Sequence, residues 1–383
     1  MLGIAFLAMG GLLAACARPG VTVPSRAETP DPMQRFEQEL ENLQKRLRIP
    51  GMSVAVLREQ RVAFAKGFGY ADIENQILAT ENTPYYIASL TKPFGATVLM
   101  CLVEEGRLNL DDAMRDLLKE SYFEYGGYTA QGYGDLCRKI RKLAWRYGDL
   151  LWDYRCDREK ITVRHHLTHT SQGKPGDRYL YNGFLYSFLS NVAEEASGKK
   201  FDELLVEKII APLGMSRTVP SINETDRARI LREKAKSYRI ALWGFVPSNY
   251  EARVSASAGM VSTVMDLAKF DVAMDQNRII SRESKETMFM PMISNGGKTL
   301  PYGLGWFVQE YRGMKILWHY GYDPGAYSSL IVKLPEKKLT MILLANSDGA
   351  SRNHNLGAGD VFASPFAALF IRMFVDAKWS AMQ

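Results

Sequence analysis

The sequence predicts an α/β fold of the α+β kind: an antiparallel sheet built from both chain ends and flanked by helices, with a mainly helical part between. Three observations lead there. Residues 53–57 and 62–65 near the start, and 302–308, 315–319, 328–334 and 339–346 in the last quarter, read as strands, short apolar runs divided by turn signals. Helical spacing governs 33–47, 185–196 and 356–374. The chain has 383 residues, 46% hydrophobic and 23% charged, enough for one large domain or two around a sizeable core. The expected division is a signal-like segment 1–16, a tether 17–32 and a body 33–383, with 33–120 and 300–383 forming the α/β part and 121–299 the helical part.

Residues 2–15 are an apolar run too short to span a bilayer comfortably, followed directly by Cys16. Leu13-Ala14-Ala15-Cys16 resembles the bacterial lipobox, whose cysteine is lipidated, so the expectation is an exported cell-envelope lipoprotein held on a membrane by its acyl chains. No Lys or Arg precedes the run. Either a basic segment lies upstream of Met1, or 2–15 is a buried core helix and Cys16 a small hydrophobe. Four prolines make 17–32 a tether without a fold of its own, and 33–47 is an amphipathic helix. Strands 53–57 and 62–65 flank a turn at 58–61. A net charge of +6 is too mild for the dense basic stripe that nucleic-acid binding needs.

The stretch 83–112 carries Ser89-Leu90-Thr91-Lys92 at the head of a helix whose apolar residues are Phe94, Val98, Leu99, Leu102 and Val103. Ser89 and Lys92 are one turn apart and share a face. A serine hydroxyl is a weak nucleophile at neutral pH; the helix N-terminus favours the developing alkoxide, and a neighbouring lysine supplies the missing activation. The pattern alone is weak. Ser197-Gly198-Lys199-Lys200 repeats it, and a helix cap beside a solvated lysine explains it equally.

Aromatic and basic residues alternate over 121–160, which reads as a helix with a solvated basic face and an aromatic underside. Cys137 and Cys156 there are a possible disulfide in an exported protein, while Cys101 falls on the apolar face of the Ser89 helix as a buried thiol. Spacing alone does not settle the pairing of four cysteines. His165 and His169 stand four apart, a metal-ligand spacing on a helix, but no carboxylate or cysteine accompanies them, so no metal is expected. Tyr181 follows a Pro175-Gly176 turn and precedes the helix 185–196; a phenol of ordinary pKa about 10 becomes a base only as a phenolate held near a lysine. Gly321, just past a strand end in His319-Tyr320-Gly321-Tyr322, lets a ligand approach the backbone, and the next N–H can face an oxyanion.

Ser-x-x-Lys at a helix start, Tyr after a Pro-Gly turn and His-x-Gly on a late strand, in that order, resemble the three signature motifs of the serine β-lactamase and penicillin-binding-protein superfamily, in its class C and esterase branch. The stretches 49–56, 66–72, 161–164, 167–171, 258–263 and 346–348 are similar to stretches common there, so the resemblance runs from about residue 33 to the C-terminal helix. It implies Ser89 as acylated nucleophile, Lys92 as its partner, Tyr181 as the group exchanging the proton, and His319 in the third-motif place. The N–H groups of Ser89 and Tyr322 would form the oxyanion hole, with Asn182 and Gly321 near the substrate. Which of Lys92 and Tyr181 is the base stays open, because coupled groups titrate as a pair. Two departures weaken a β-lactamase reading: Gly183 stands where the family has asparagine, with Asn182 shifted by one, and His319 replaces the usual lysine. The expectation is a monomeric serine hydrolase without metal or organic cofactor, acting on an ester, amide or D-amino-acid peptide bond. The alternatives are a non-catalytic envelope protein holding peptidoglycan peptides in the same cleft and, third, a metal-dependent hydrolase.

Overall fold

Strands from the two ends of the chain meet in one seven-stranded antiparallel sheet. The computed structural model describes residues 31–125, 128–147 and 151–376; the signal-like segment, Cys16 and the tether up to residue 30 lie outside them. Helix α1 (Pro32–Arg46) leads into strand β1 (Gly51–Arg58), which turns at Glu59-Gln60 into β2 (Arg61–Asp72). Both turn residues have positive φ, 51° and 61°, the twist a two-residue hairpin requires. Beyond β2 lies the short β3 (Ile77–Leu78); on the other side of β1 the order runs Leu339–Ala345, Tyr327–Leu334, Met314–Asp323 and Phe307–Tyr311. Val54 of β1 thus faces Leu343 on one side and Lys66 on the other.

β1 up to Leu57 and the two strands 327–334 and 339–345 are buried at every residue rather than at alternate ones because helices cover both faces of the sheet. On one face α1 packs against the last helix, Pro365–Val375, with the rings of Phe36 and Phe370 6.1 Å apart. On the other lies the helix Val264–Asp275, which falls within 121–299 yet belongs to the sheet's cover. Helix α2 (Lys92–Glu104) goes the opposite way, into the helical part, where every residue from Lys92 to Leu102 is buried. Apolar all round, it is a central rather than a surface helix.

Element ends move for local reasons. The final helix begins at Pro365, capped by the Ser364 hydroxyl accepting from the Ala367 N–H, while 356–363 is two single turns parted by Gly359 at φ 91°. The strand expected at 302–308 begins at Phe307, since Gly305 at φ 80° interrupts it, and the one expected at 315–319 continues to Asp323. The stretch 121–160 opens as a hairpin, Tyr122–Tyr125 with Tyr128–Gln131, before its helix Gly132–Tyr147. A disulfide joins Cys137 of that helix to Cys156, Cys101 is a buried free thiol, and the Tyr133 and Tyr154 hydroxyls meet at 2.7 Å in the core.

Candidate active site

The chain enters the site through Ala88, a non-glycine residue at φ 49°, in a 3₁₀ turn Ala88–Thr91. Side chains three apart eclipse in a 3₁₀ turn, and Lys92, the first residue of α2, is brought over Ser89: its Nζ lies 2.9 Å from the Ser89 Oγ. Lys92 is fully buried. Burial pulls its pKa from the ordinary 10.5 down to about 7, against the opposing pull of Asp323. Two further groups hold the amine, the Ser257 carbonyl oxygen and the Ser257 Oγ, both at 3.0 Å. A neutral amine satisfies this geometry by donating twice to Ser257 and accepting from the Ser89 hydroxyl. Ser257 is a site residue that sequence reasoning missed; its one signal is its place directly before Ala258-Gly259.

Tyr181 stands over this pair, with its ring centroid 5.0 Å from the Lys92 Nζ. Its hydroxyl is buried without a partner in hydrogen-bond geometry, and burial pushes its pKa well above 10, the Ser89 hydroxyl and other tyrosines being lesser influences. Sequence alone leaves the base open between Lys92 and Tyr181; here burial disfavours the Tyr181 phenolate and draws Lys92 towards neutrality. The His169 ring lies 4.4 Å from that of Tyr181, tilted by 36°, and its Nδ1 accepts from the Asn182 N–H at 3.1 Å. His169 itself lies past the end of its helix at φ 54°, while His165 Nδ1 accepts from the Thr162 N–H at 3.0 Å, so the four-residue spacing does not place the two on one helix face.

Three further candidates are engaged within the fold itself. His319 is wholly buried; its Nδ1–H donates to the Tyr320 carbonyl and its Nε2 accepts from the Tyr302 hydroxyl, each at 2.7 Å. Burial holds its pKa well below 6.5, so it is a neutral positioning group with no hydrogen free for a substrate. Asn182 is spent locally: its Oδ1 accepts from the Leu185 N–H at 2.9 Å as a helix cap and its Nδ2 donates to Gln172 at 2.8 Å. Gly321 lies inside a strand, and a Cβ there would stand 2.3 Å from the Ile87 carbonyl oxygen, so its bareness admits the Ser89 turn and not a ligand. Gly183, by contrast, faces the site, its Cβ position 3.7 Å from the Lys92 Nζ.

The strand Phe307–Tyr311 pairs only as far as Trp318, which leaves the edge from His319 to Asp323 free of a strand on that side. Tyr322 lies on this edge and is 38% exposed, and beside it a pocket of about 600 Å³ is lined by Tyr181, Tyr320, Tyr322 and Asn355. A larger cleft of about 1080 Å³ opens from Ser257 and Gly183 towards Tyr86, Arg227 and Arg253, and the hairpin residues Tyr122 and Glu124 form part of its wall.

A family model described as Beta-lactamase matches residues 36–362, and the chain belongs to that family. Among its relatives, penicillin-binding protein 4* of Bacillus subtilis is 26% identical over 315 residues, covering 75% of this chain and 66% of that protein. D-aminopeptidase of Gluconobacter oxydans is 25% identical over 329 residues, 83% of this chain and 60% of that one. The chain thus spans slightly less than two thirds of these curated relatives. The solved octameric penicillin-binding protein homologue from Pyrococcus abyssi superposes with a TM-score of 0.67 at 25% identity, over 85% of this chain and 76% of that one.

Proposed function

We propose that the protein is a serine hydrolase that cleaves an ester, amide or D-amino-acid peptide bond through an acyl intermediate on Ser89. The observation that carries this reading is the buried Lys92 amine, 2.9 Å from the Ser89 Oγ with its pKa drawn down to about 7. The neutral amine takes the Ser89 proton as Oγ attacks the carbonyl carbon, and the N–H groups of Ser89 and Tyr322 receive the developing oxyanion. The Tyr181 phenol gives its proton to the leaving group and regains one from the Lys92 ammonium. In the second half a water gives a proton to Lys92 as its oxygen attacks the acyl carbon, and the Lys92 ammonium returns that proton to the Ser89 Oγ as the acyl–oxygen bond breaks and the acid leaves. With His319 neutral and enclosed, the third-motif position offers no cation to a substrate carboxylate, which favours ester and amide substrates over β-lactams.

Intact-mass spectrometry with a fluorophosphonate tests the reading: one adduct, mapped to Ser89, is expected, and a folded protein that stays unmodified would sink it. The labelling rate should rise as pH passes through about 7 and level off above it, since Lys92 acts as base when unprotonated; a flat profile from about pH 5 to about pH 9 argues against a Lys92 base. The same shift has a stability sign. Between about 7 and 10.5 the unfolded chain holds a proton on Lys92 that the folded chain does not, so at this residue stability rises with pH across that window.

Replacing Tyr181 by phenylalanine should slow anilide hydrolysis by about 10²-fold or more while slowing fluorophosphonate labelling much less, because fluoride leaves without a proton. Equal losses in both assays would remove Tyr181 from the leaving-group step.

The protein is also proposed to be exported and lipid-anchored at Cys16 and to act as a monomer. Metabolic labelling with a fatty acid should mark the parent and not Cys16→Ser. Light scattering on the body reads the assembly state directly, the Pyrococcus homologue being octameric by its description.

A further inference from the structure

The strands Ser237–Ala241 and Gly244–Ser248 form a hairpin whose two connecting residues, Leu242 and Trp243, are 91% and 85% exposed. A two-residue turn favours Asn, Asp and Gly. Here it holds a leucine and an indole out in water, and among the described residues the indole has no hydrogen-bond, ring or charge partner. The fold makes no use of either side chain. The hairpin behind them is fixed: the Tyr238 N–H donates to the Asn346 carbonyl at 2.8 Å, and Ile240 reaches into the body, where it meets Ile49 around Gly349. Phe245, the cross-strand partner of Ile240, continues the apolar surface at 38% exposure. Scattered exposed apolar residues are ordinary, but a contiguous apolar projection on a rigid base marks a contact surface.

Shape and charge decide which surface it meets. The projection is convex, and two side chains fall well short of the roughly 800 Å² a side that a stable protein interface takes. A bilayer closes round such a tip from every direction, and tryptophan prefers the headgroup level, where its ring is in apolar surroundings and its N–H in polar ones. Behind the tip stand two exposed guanidinium groups, Arg239 on the hairpin and Arg48, which lies 5.8 Å from the centre of the Phe245 ring. Among the described residues neither is ion-paired, whereas Lys45 and Lys66 in the groove beside Phe245 are taken up by Glu41 and Glu37. Unpaired cations behind an apolar tip match anionic phospholipid headgroups. The course of the chain agrees. Helix α1, 15 residues or about 22 Å long, ends two residues before Arg48, and the 16 residues from Cys16 to Pro32 can reach about 50 Å when extended.

We propose that Leu242 and Trp243 form a membrane-insertion point that enters an anionic phospholipid bilayer, with Arg48 and Arg239 on the headgroups. The inference rests on the proposed Cys16 anchor only for nearness to a membrane; the two together supply the pair of signals that stable attachment takes. The Arg239 side chain also lies against Gly325, two residues beyond the strand that carries Tyr322, so insertion turns that end of the site towards the bilayer.

The test reconstitutes the full chain in vesicles of phosphatidylethanolamine and phosphatidylglycerol whose acyl chains carry bromine, which quenches an indole that enters them. The difference between parent and Trp243→Phe isolates the emission of Trp243 from that of the other five tryptophans. That emission should fall by about half or more relative to unbrominated vesicles. Leu242→Asp should restore it, and replacing phosphatidylglycerol by phosphatidylcholine should weaken the quenching. Both side chains are exposed, so the substitutions should leave circular dichroism unchanged. Unquenched Trp243 in vesicle-bound protein overturns the inference, as does a chain that does not bind the vesicles. Quenching of Trp243 without fatty-acid labelling of Cys16 removes the anchor and leaves the insertion point standing. A parent that is dimeric by light scattering beside a monomeric Leu242→Asp makes a second copy of the chain the occupant and overturns the lipid reading.

Discussion

Replacing Lys92 by glutamine is expected to slow fluorophosphonate labelling of Ser89 by about three orders of magnitude, the loss typical of removing a positioned base. The amine sits 2.9 Å from the Ser89 Oγ and is drawn close to neutrality, so it can take the hydroxyl proton at the moment of attack. Glutamine keeps a neutral polar head in a fully buried place and can still donate to Ser257, so the fold should survive while the proton acceptor disappears. Ser89→Ala run beside it should take no adduct. Circular dichroism separates a folded, slow variant from an unfolded one. If Lys92→Gln is labelled at the parental rate, the base lies elsewhere and the protonation state assigned to Tyr181 has to be reversed.

The second large effect is on stability and concerns Gly321. A methyl group there would lie 2.2 Å from the Ser329 Oγ, 2.3 Å from the Ile87 carbonyl oxygen and 2.9 Å from the Ala88 Cβ. Of these only the serine can swing aside, and its hydroxyl already donates to the Ile87 carbonyl at 2.7 Å. Gly321→Ala must therefore push the sheet edge away from the Ser89 turn, and overpacking of this kind costs about 3 kcal/mol or more. Urea unfolding should show the loss, and labelling of Ser89 should fall with it because Ala88, already at φ 49°, belongs to the displaced turn. Parental stability in this variant would mean that the strand and the turn are not held together where the structure puts them.

Both predictions show what was legible in one dimension. Ser89 and Lys92 are three residues apart, and a single helical turn brings them together whatever the rest of the chain does. The strands of the sheet follow from their apolar runs, as the Glu59-Gln60 hairpin follows from the turn between two such runs. Tyr181 was recognisable by its place after Pro175-Gly176 and its order in the chain. The roles of His319, Asn182 and Gly321 were not, because residue type and motif position say nothing about which hydrogen-bond partners a fold will supply. His319 loses both ring nitrogens to Tyr302 and Tyr320, and Asn182 is taken up by Gln172 and a helix start.

The fold family, the one-turn spacing of Ser89 and Lys92 and the chain order of the candidate site were readable from local periodicity, short spacing and motif order. Only the folded chain brings Ser257, 165 residues away, onto the Lys92 amine and buries that amine so that its pKa falls to about 7. The reason is that desolvation belongs to the packed assembly. A lysine has its ordinary pKa until distant segments exclude water from it.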